Sequence, residues 1–208
     1  MRENAKKPTL NVTGMVELAL LTAIVLVLQL TGFAIRLPFL TTPVSLVLVP
    51  IALGAMLLGP YAGAFLGFVF GMEVFLVCGV MATDPFTALL FSQHPALTFF
   101  VCVLKSTVAG FAAGLLYRAI EKKSRLAGSF AAAAVTPILN TGIFILGCVA
   151  MMNTINDVAS GMNQSFFYFV VITCAGINFL FELLVNLVLA PVLCRLVQII
   201  TKRRPEIG

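Results

Sequence analysis

The sequence predicts an all-α membrane protein, a compact bundle of six transmembrane helices with both termini cytoplasmic. Three observations carry that prediction. Hydrophobic residues make up 61% of the chain and charged residues 10%, whereas soluble domains carry about 25% charged residues. Six apolar runs, at 15–34, 44–58, 61–81, 97–117, 128–152 and 166–190, fill most of the chain. Most reach the roughly 20 residues that a helix needs to cross about 30 Å of hydrocarbon. Eleven of the thirteen Lys and Arg residues flank these runs on one side of the predicted topology, the side that positive charge marks as cytoplasmic. With six spans in 208 residues, the whole chain, 1–208, reads as one integral membrane domain.

Each span has its own signal. The first follows Arg2, Lys6 and Lys7 and shows no small-residue cleavage site, so it reads as a retained helix rather than a signal peptide. Within it, Ala19 and Ala23 form a small-x-x-x-small pair. The second run is short and stops at the Gly59-Pro60 turn. The third, in GPYAGAFLGFVFGMEVF, repeats glycine at 59, 63, 67 and 71. A four-residue step drifts only about 40° per repeat on an α-helix, so these glycines form one slowly coiling groove. Between helices in lipid, close packing replaces the hydrophobic drive, and small residues permit it. The fourth run repeats the device with Gly110 and Gly114, and basic residues 118–125 join it to the fifth. The sixth carries Asn178, Glu182 and Asn186 at helical spacing and ends in a basic tail, Arg195 to Arg204.

Four ionisable residues fall inside runs: Glu17, Glu73, Lys105 and Glu182. Such residues cost about 2.5–3.5 kcal/mol at a helix centre and mark partners or function. Helical rise puts Glu73 and Lys105 both roughly 12 Å below the outer surface, which allows either a structural ion pair or a ligand contact. Asn140 and Asn178 share their half of the bilayer. Glu182 and Asn186 fall deeper and read as interhelical ties. Segments 35–43, 81–97 and 153–165 read as outer loops, among whose residues Arg36 and Gln93 join the candidate ligand set.

Several functions are excluded or disfavoured. No phosphate-binding G-x-x-x-x-G-K-[ST] motif is present, and neither H-E-x-x-H nor G-x-S-x-G occurs, so the chain does not read as an ATPase or an enzyme. The five cysteines form no C-x-x-C pair and His94 stands alone, so no metal or cofactor is expected. The basic clusters serve topology, not nucleic acid. A self-sufficient proton-coupled carrier relaying through Glu73, Lys105 and Glu182, and a ligand-free scaffold, stand as alternatives.

Four motifs, in order, point to a family: Ala19-x-x-x-Ala23, LLGPYAGAFLGFVFG, PILNTGIFILG and NFLFELLVNLVLAPVL. With them, nearly the whole chain resembles the substrate-binding (S) components of energy-coupling factor (ECF) vitamin transporters. The resemblance implies a bacterial plasma-membrane subunit that captures one vitamin or related micronutrient in its outer half. It implies a transmembrane coupling subunit and two cytoplasmic ATPases as partners, with Ala19 and Ala23 facing the coupling subunit. Asn140-Thr141 and the glycine-rich features resemble the pantothenate branch, with pyridoxine-related branches close behind. For pantothenate, Lys105 would face the carboxylate, with Asn140 and Asn178 on the amide and hydroxyls. A Glu73 that neutralised Lys105 would make an uncharged or cationic solute as reasonable.

Overall fold

The computed structural model describes residues 12–32 and 46–203, and all regular structure among them is helical. Helix α1 spans Val12–Gly32, α2 Leu48–Leu58 and α3 Pro60–Glu73, which continues as a π-helical segment, Val74–Val80. Helix α4 spans Pro85–Gln93, α5 Pro95–Ile120, α6 Arg125–Ala150 and α7 Met152–Gly161. A second π-helical segment, Tyr168–Gly176, leads into α8, Ile177–Arg203.

Among the described residues, five helical stretches are long and apolar enough to cross a membrane: 12–31, 60–80, 95–120, 125–150 and 168–202. Helix α2 is apolar too but has eleven residues, which at about 1.5 Å per residue spans little more than half the hydrocarbon. Apolar side chains also cover the outside of the bundle: Leu146 is 69% exposed, Val188 66% and Phe100 62%. A helix apolar on its outward face as well as its inward one suits lipid.

The α3–α5 seam is made by the glycines. A Cβ added at Gly63 would strike the carbonyl of Gly110, one at Gly67 that of Ser106, and one at Gly71 that of Cys102. From the other side, a Cβ at Gly110 would strike Gly63, and one at Gly114 the backbone of Pro60. Two four-residue repeats run antiparallel in constant register, so the stripe packs helix on helix within this chain, backbone against backbone. At the head of α3, Gly59 takes φ +103 with the Arg118 guanidinium against it, a conformation that only glycine adopts without strain.

Two of the segments expected as loops are helices. In the 81–97 segment, Asp84 caps α4 by accepting from the Thr87 amide at 2.8 Å, with Pro85 in the first turn. This pairing of an acidic cap with proline at the first helical position is strongly favoured. The 153–165 segment falls largely within α7, which buries Ile155 and Ala159 and leaves Asn153 exposed. The expected outer loop at 35–43 lies outside the described residues. Prolines 137 and 191 sit inside α6 and α8, a placement that membrane-spanning helices tolerate.

Three apolar clusters frame the bundle. One joins α1, α2 and α3, including Val25, Ile51, Leu66 and Phe70. Another gathers α4, α7 and the second π-helical segment around Ile155, Phe166 and Phe169. The third, around Tyr117, Ala132 and Leu193, closes the end that carries Arg118, Arg125 and Arg195. The first two leave a polar space between them.

Candidate functional site

That space is a cavity of about 100 Å³. Helix α1 gives it Gln29, and α3 with its π-helical extension gives Phe70, Val74 and Cys78. The α4 cap and first turns give Asp84, Phe86 and Thr87, and Lys105 comes from α5. Asn140, Thr141 and Phe144 come from α6, Cys174 and Ala175 from the second π-helical segment, and Asn178 and Glu182 from α8. Both π-helical segments therefore reach the wall, and such irregular turns concentrate at functional sites because the extra residue re-aims side chains. Helices α2 and α7 contribute nothing to it.

Each polar side chain has an identifiable anchor or lacks one. Asn140, 7% exposed, has its Oδ1 held by the Ser106 hydroxyl of α5 at 3.3 Å. Ser106 is fully buried in the glycine seam, with its carbonyl against Gly67. The close approach of α3 to α5 thus fixes the anchor of a cavity residue. Asp84 accepts from both the Thr87 amide and, at 2.6 Å, the Thr87 hydroxyl, so its charge is engaged in the cap.

Lys105 makes no ion pair among the described residues. Its Nζ lies 5.4 Å from the centre of the Phe144 ring, close enough for the ring face to favour the cation without hydrogen bonding it. On α8, the Asn178 amide donates to Glu182 Oε1 at 3.3 Å, and the Asn186 amide donates to the Glu182 carbonyl at 2.8 Å. The Oε2 of Glu182 and the Oδ1 of Asn178 are buried and accept no hydrogen bond. Leaving such an acceptor unmet costs about 1–3 kcal/mol.

The structure brings Lys105, Asn140 and Asn178 together in one lining, with Thr141 beside them. Glu73 is not part of it. The seam register pairs Gly71 with Cys102, which sets Glu73 opposite Phe100, about one and a half turns along α5 from Lys105. Glu73 and Lys105 make no ion pair, and the Glu73 Oε2 is buried without a partner. Depth counted from predicted span ends had set these two level because it lacked the register. Gln93 is exposed at the end of α4, away from the lining, and Arg36 lies outside the described residues. Glu182, expected deeper as a tie between helices, stands in the lining and is hydrogen-bonded along its own helix. Sequence spacing alone had already put it one turn from Asn178, on the same face.

Ala19 and Ala23 are both exposed on α1, and between them the Thr22 hydroxyl is turned back onto the Leu18 carbonyl at 2.8 Å. That strip of α1 offers small, apolar relief. All five cysteines are buried and free, with Cys78 and Cys174 in the cavity wall.

A family model described as ECF transporter, substrate-specific component, matches residues 14–194. No curated protein and no solved structure matches the chain. The chain belongs to the ECF transporter substrate-specific component family. It is therefore a membrane-embedded, multi-pass transporter component, not an enzyme, with a small-molecule substrate and ECF module partners, a coupling subunit and ATPases.

Proposed function

We propose that this subunit takes pantothenate from outside the cell into the cavity between α1, α3, α5, α6 and α8, for ATP-driven uptake by its partners. The observation that carries the reading is Lys105, an ammonium in the cavity lining that makes no ion pair with any described carboxylate, Asp84 and Glu182 of the same lining included. A cation so placed suits a solute carboxylate, and a charge-assisted hydrogen bond is about twice as strong as a neutral one. Asn140 and Asn178 would serve the amide and hydroxyls. Glu73 lies outside the lining and makes no ion pair with Lys105, while Asp84 is engaged in its helix cap. Glu73 and Gln93, outside the lining, are assigned no contact with the solute.

In this reading α2 is the sixth span. Residues 44–47 extend its apolar run, and an even number of spans puts both termini on the cytoplasmic side with the basic clusters. Ala19 and Ala23 would meet the coupling subunit, since small residues let helices approach closely and part again. Family membership weighs against a self-sufficient proton-coupled carrier.

Pantothenate binding to the purified chain and pantothenate uptake by the complete module test the two halves. Ala19→Phe and Ala23→Phe should abolish uptake while leaving binding within about twofold, because neither residue is near the cavity. Unchanged uptake in both variants would remove the docking role from α1.

A further inference from the structure

We infer that the α8 wall of the cavity is a subsite for a hydrogen-bond-donating group of the solute, with Glu182 as the residue that reads it. The inference rests on the pantothenate reading for its choice of probe. It goes beyond that reading in assigning Glu182 a ligand and in predicting which end of the solute this wall selects.

Glu182 is 3% exposed and stands in the lining. One carboxylate oxygen is occupied by the Asn178 amide at 3.3 Å, and the other, Oε2, is met by nothing. The Asn178 Oδ1, one helical turn away, is likewise buried and unmet. The Asn186 amide, by bonding the Glu182 backbone carbonyl at 2.8 Å, ties the turn of α8 below it. Two acceptor oxygens are thus held in place, buried, and left without donors in the wall of one cavity. The protein does not use the obvious internal donor: Lys105 lines the same cavity, yet it makes no contact with Glu182 within 4 Å.

An acceptor pair facing an unmatched ammonium recognises a solute with both polarities, an acid at Lys105 and hydroxyl or N–H donors at Glu182 and Asn178. Buried acceptors also reject strongly. A solute that lacks the donor leaves them unpaired after water has been expelled, and discrimination of this kind far exceeds that of an apolar pocket. Pantothenate has the required form, a carboxylate at one end and two hydroxyls at the other. Glu182 therefore sets specificity for the hydroxyl end, and Lys105 for the acid.

Three probes separate the ends: pantothenate, pantothenol (no carboxylate) and N-(3,3-dimethylbutanoyl)-β-alanine (no hydroxyls). Each is titrated calorimetrically against the full-length wild type, Glu182→Gln and Lys105→Met, with melting temperatures recorded for all three proteins. Glu182→Gln should weaken pantothenate and pantothenol by about tenfold or more and leave the hydroxyl-free acid within about twofold. Lys105→Met should show the opposite pattern, losing both acids and sparing pantothenol. If Glu182→Gln does not fold, Asn178→Leu, which removes the second acceptor, carries the same comparison. Equal weakening of all three probes by the α8 variants would make Glu182 a fold residue and overturn the inference. If the wild type binds none of the probes, the pantothenate reading falls. Glu182 is then judged on the small molecules that co-purify. A hydroxyl- or amine-bearing acid present with wild type and missing from Glu182→Gln supports the inference, and identical extracts overturn it.

Discussion

The α3–α5 seam and the cavity beside it draw on the same two helices and follow opposite rules. In the seam, every fourth residue gives up its side chain, and carbonyls of Cys102, Ser106 and Gly110 lie where Cβ atoms would be. In the cavity, side chains are kept and several polar atoms go unmet: Glu182 Oε2 and Asn178 Oδ1 accept nothing, and Lys105 makes no ion pair among the described residues. The seam is filled by backbone, and the cavity is walled by polar side chains. Ser106 belongs to both, its carbonyl against Gly67 and its hydroxyl on Asn140. Precision in the binding wall is thus inherited from packing in the seam.

Substitutions can break that contrast in order of expected effect. Gly67→Leu should be the most damaging, since even its Cβ would lie 2.6 Å from the Ser106 carbonyl carbon and 2.9 Å from the Thr107 nitrogen. Overpacking of this kind costs about 3 kcal/mol or more where backbone must move, which a large fall in melting temperature or loss of folded protein would register. Lys105→Ala should leave melting nearly unchanged but lower pantothenate affinity by roughly 30-fold, about 2 kcal/mol, the scale of a charge-assisted hydrogen bond. Ser106→Ala keeps the seam but frees Asn140, and about a fivefold loss of affinity should follow, near 1 kcal/mol. Gly142→Ala is the smallest change and the control. A Cβ there meets nothing within 4 Å, so helix propensity alone should raise stability by about 0.5–1 kcal/mol. A Gly142→Ala variant as damaged as Gly67→Leu would mean that glycine matters here for something other than close approach.

How much of this could be read from the residues differs between the two regions for a physical reason. The seam was legible, because a four-residue glycine repeat has one use at helical pitch in lipid. The cavity was only half legible. Lys105, Asn140 and Asn178 were visible as polar residues at similar depth, but pairing Glu73 with Lys105 required a helix register that span ends do not fix to better than a turn. Asp84 and Thr87 were hidden in what read as a loop, although Asp84-Pro85 is itself a helix-start signal. The π-helical turns that bring Cys78 and Cys174 into the wall leave no pattern in sequence periodicity. Glu182 was visible, but depth alone does not tell a tie between helices from a residue of the cavity wall, where it stands.

The central claim is that the cavity holds an acidic solute at Lys105. Its most direct test is mass spectrometry of small molecules extracted from gently purified wild type and from Lys105→Ala prepared in parallel, with matched melting curves. One carboxylate-bearing compound, of pantothenate mass, should be enriched with the wild type and depleted from the variant. The same compound at the same yield from both proteins, or enrichment of a solute with no acidic group, would contradict the claim.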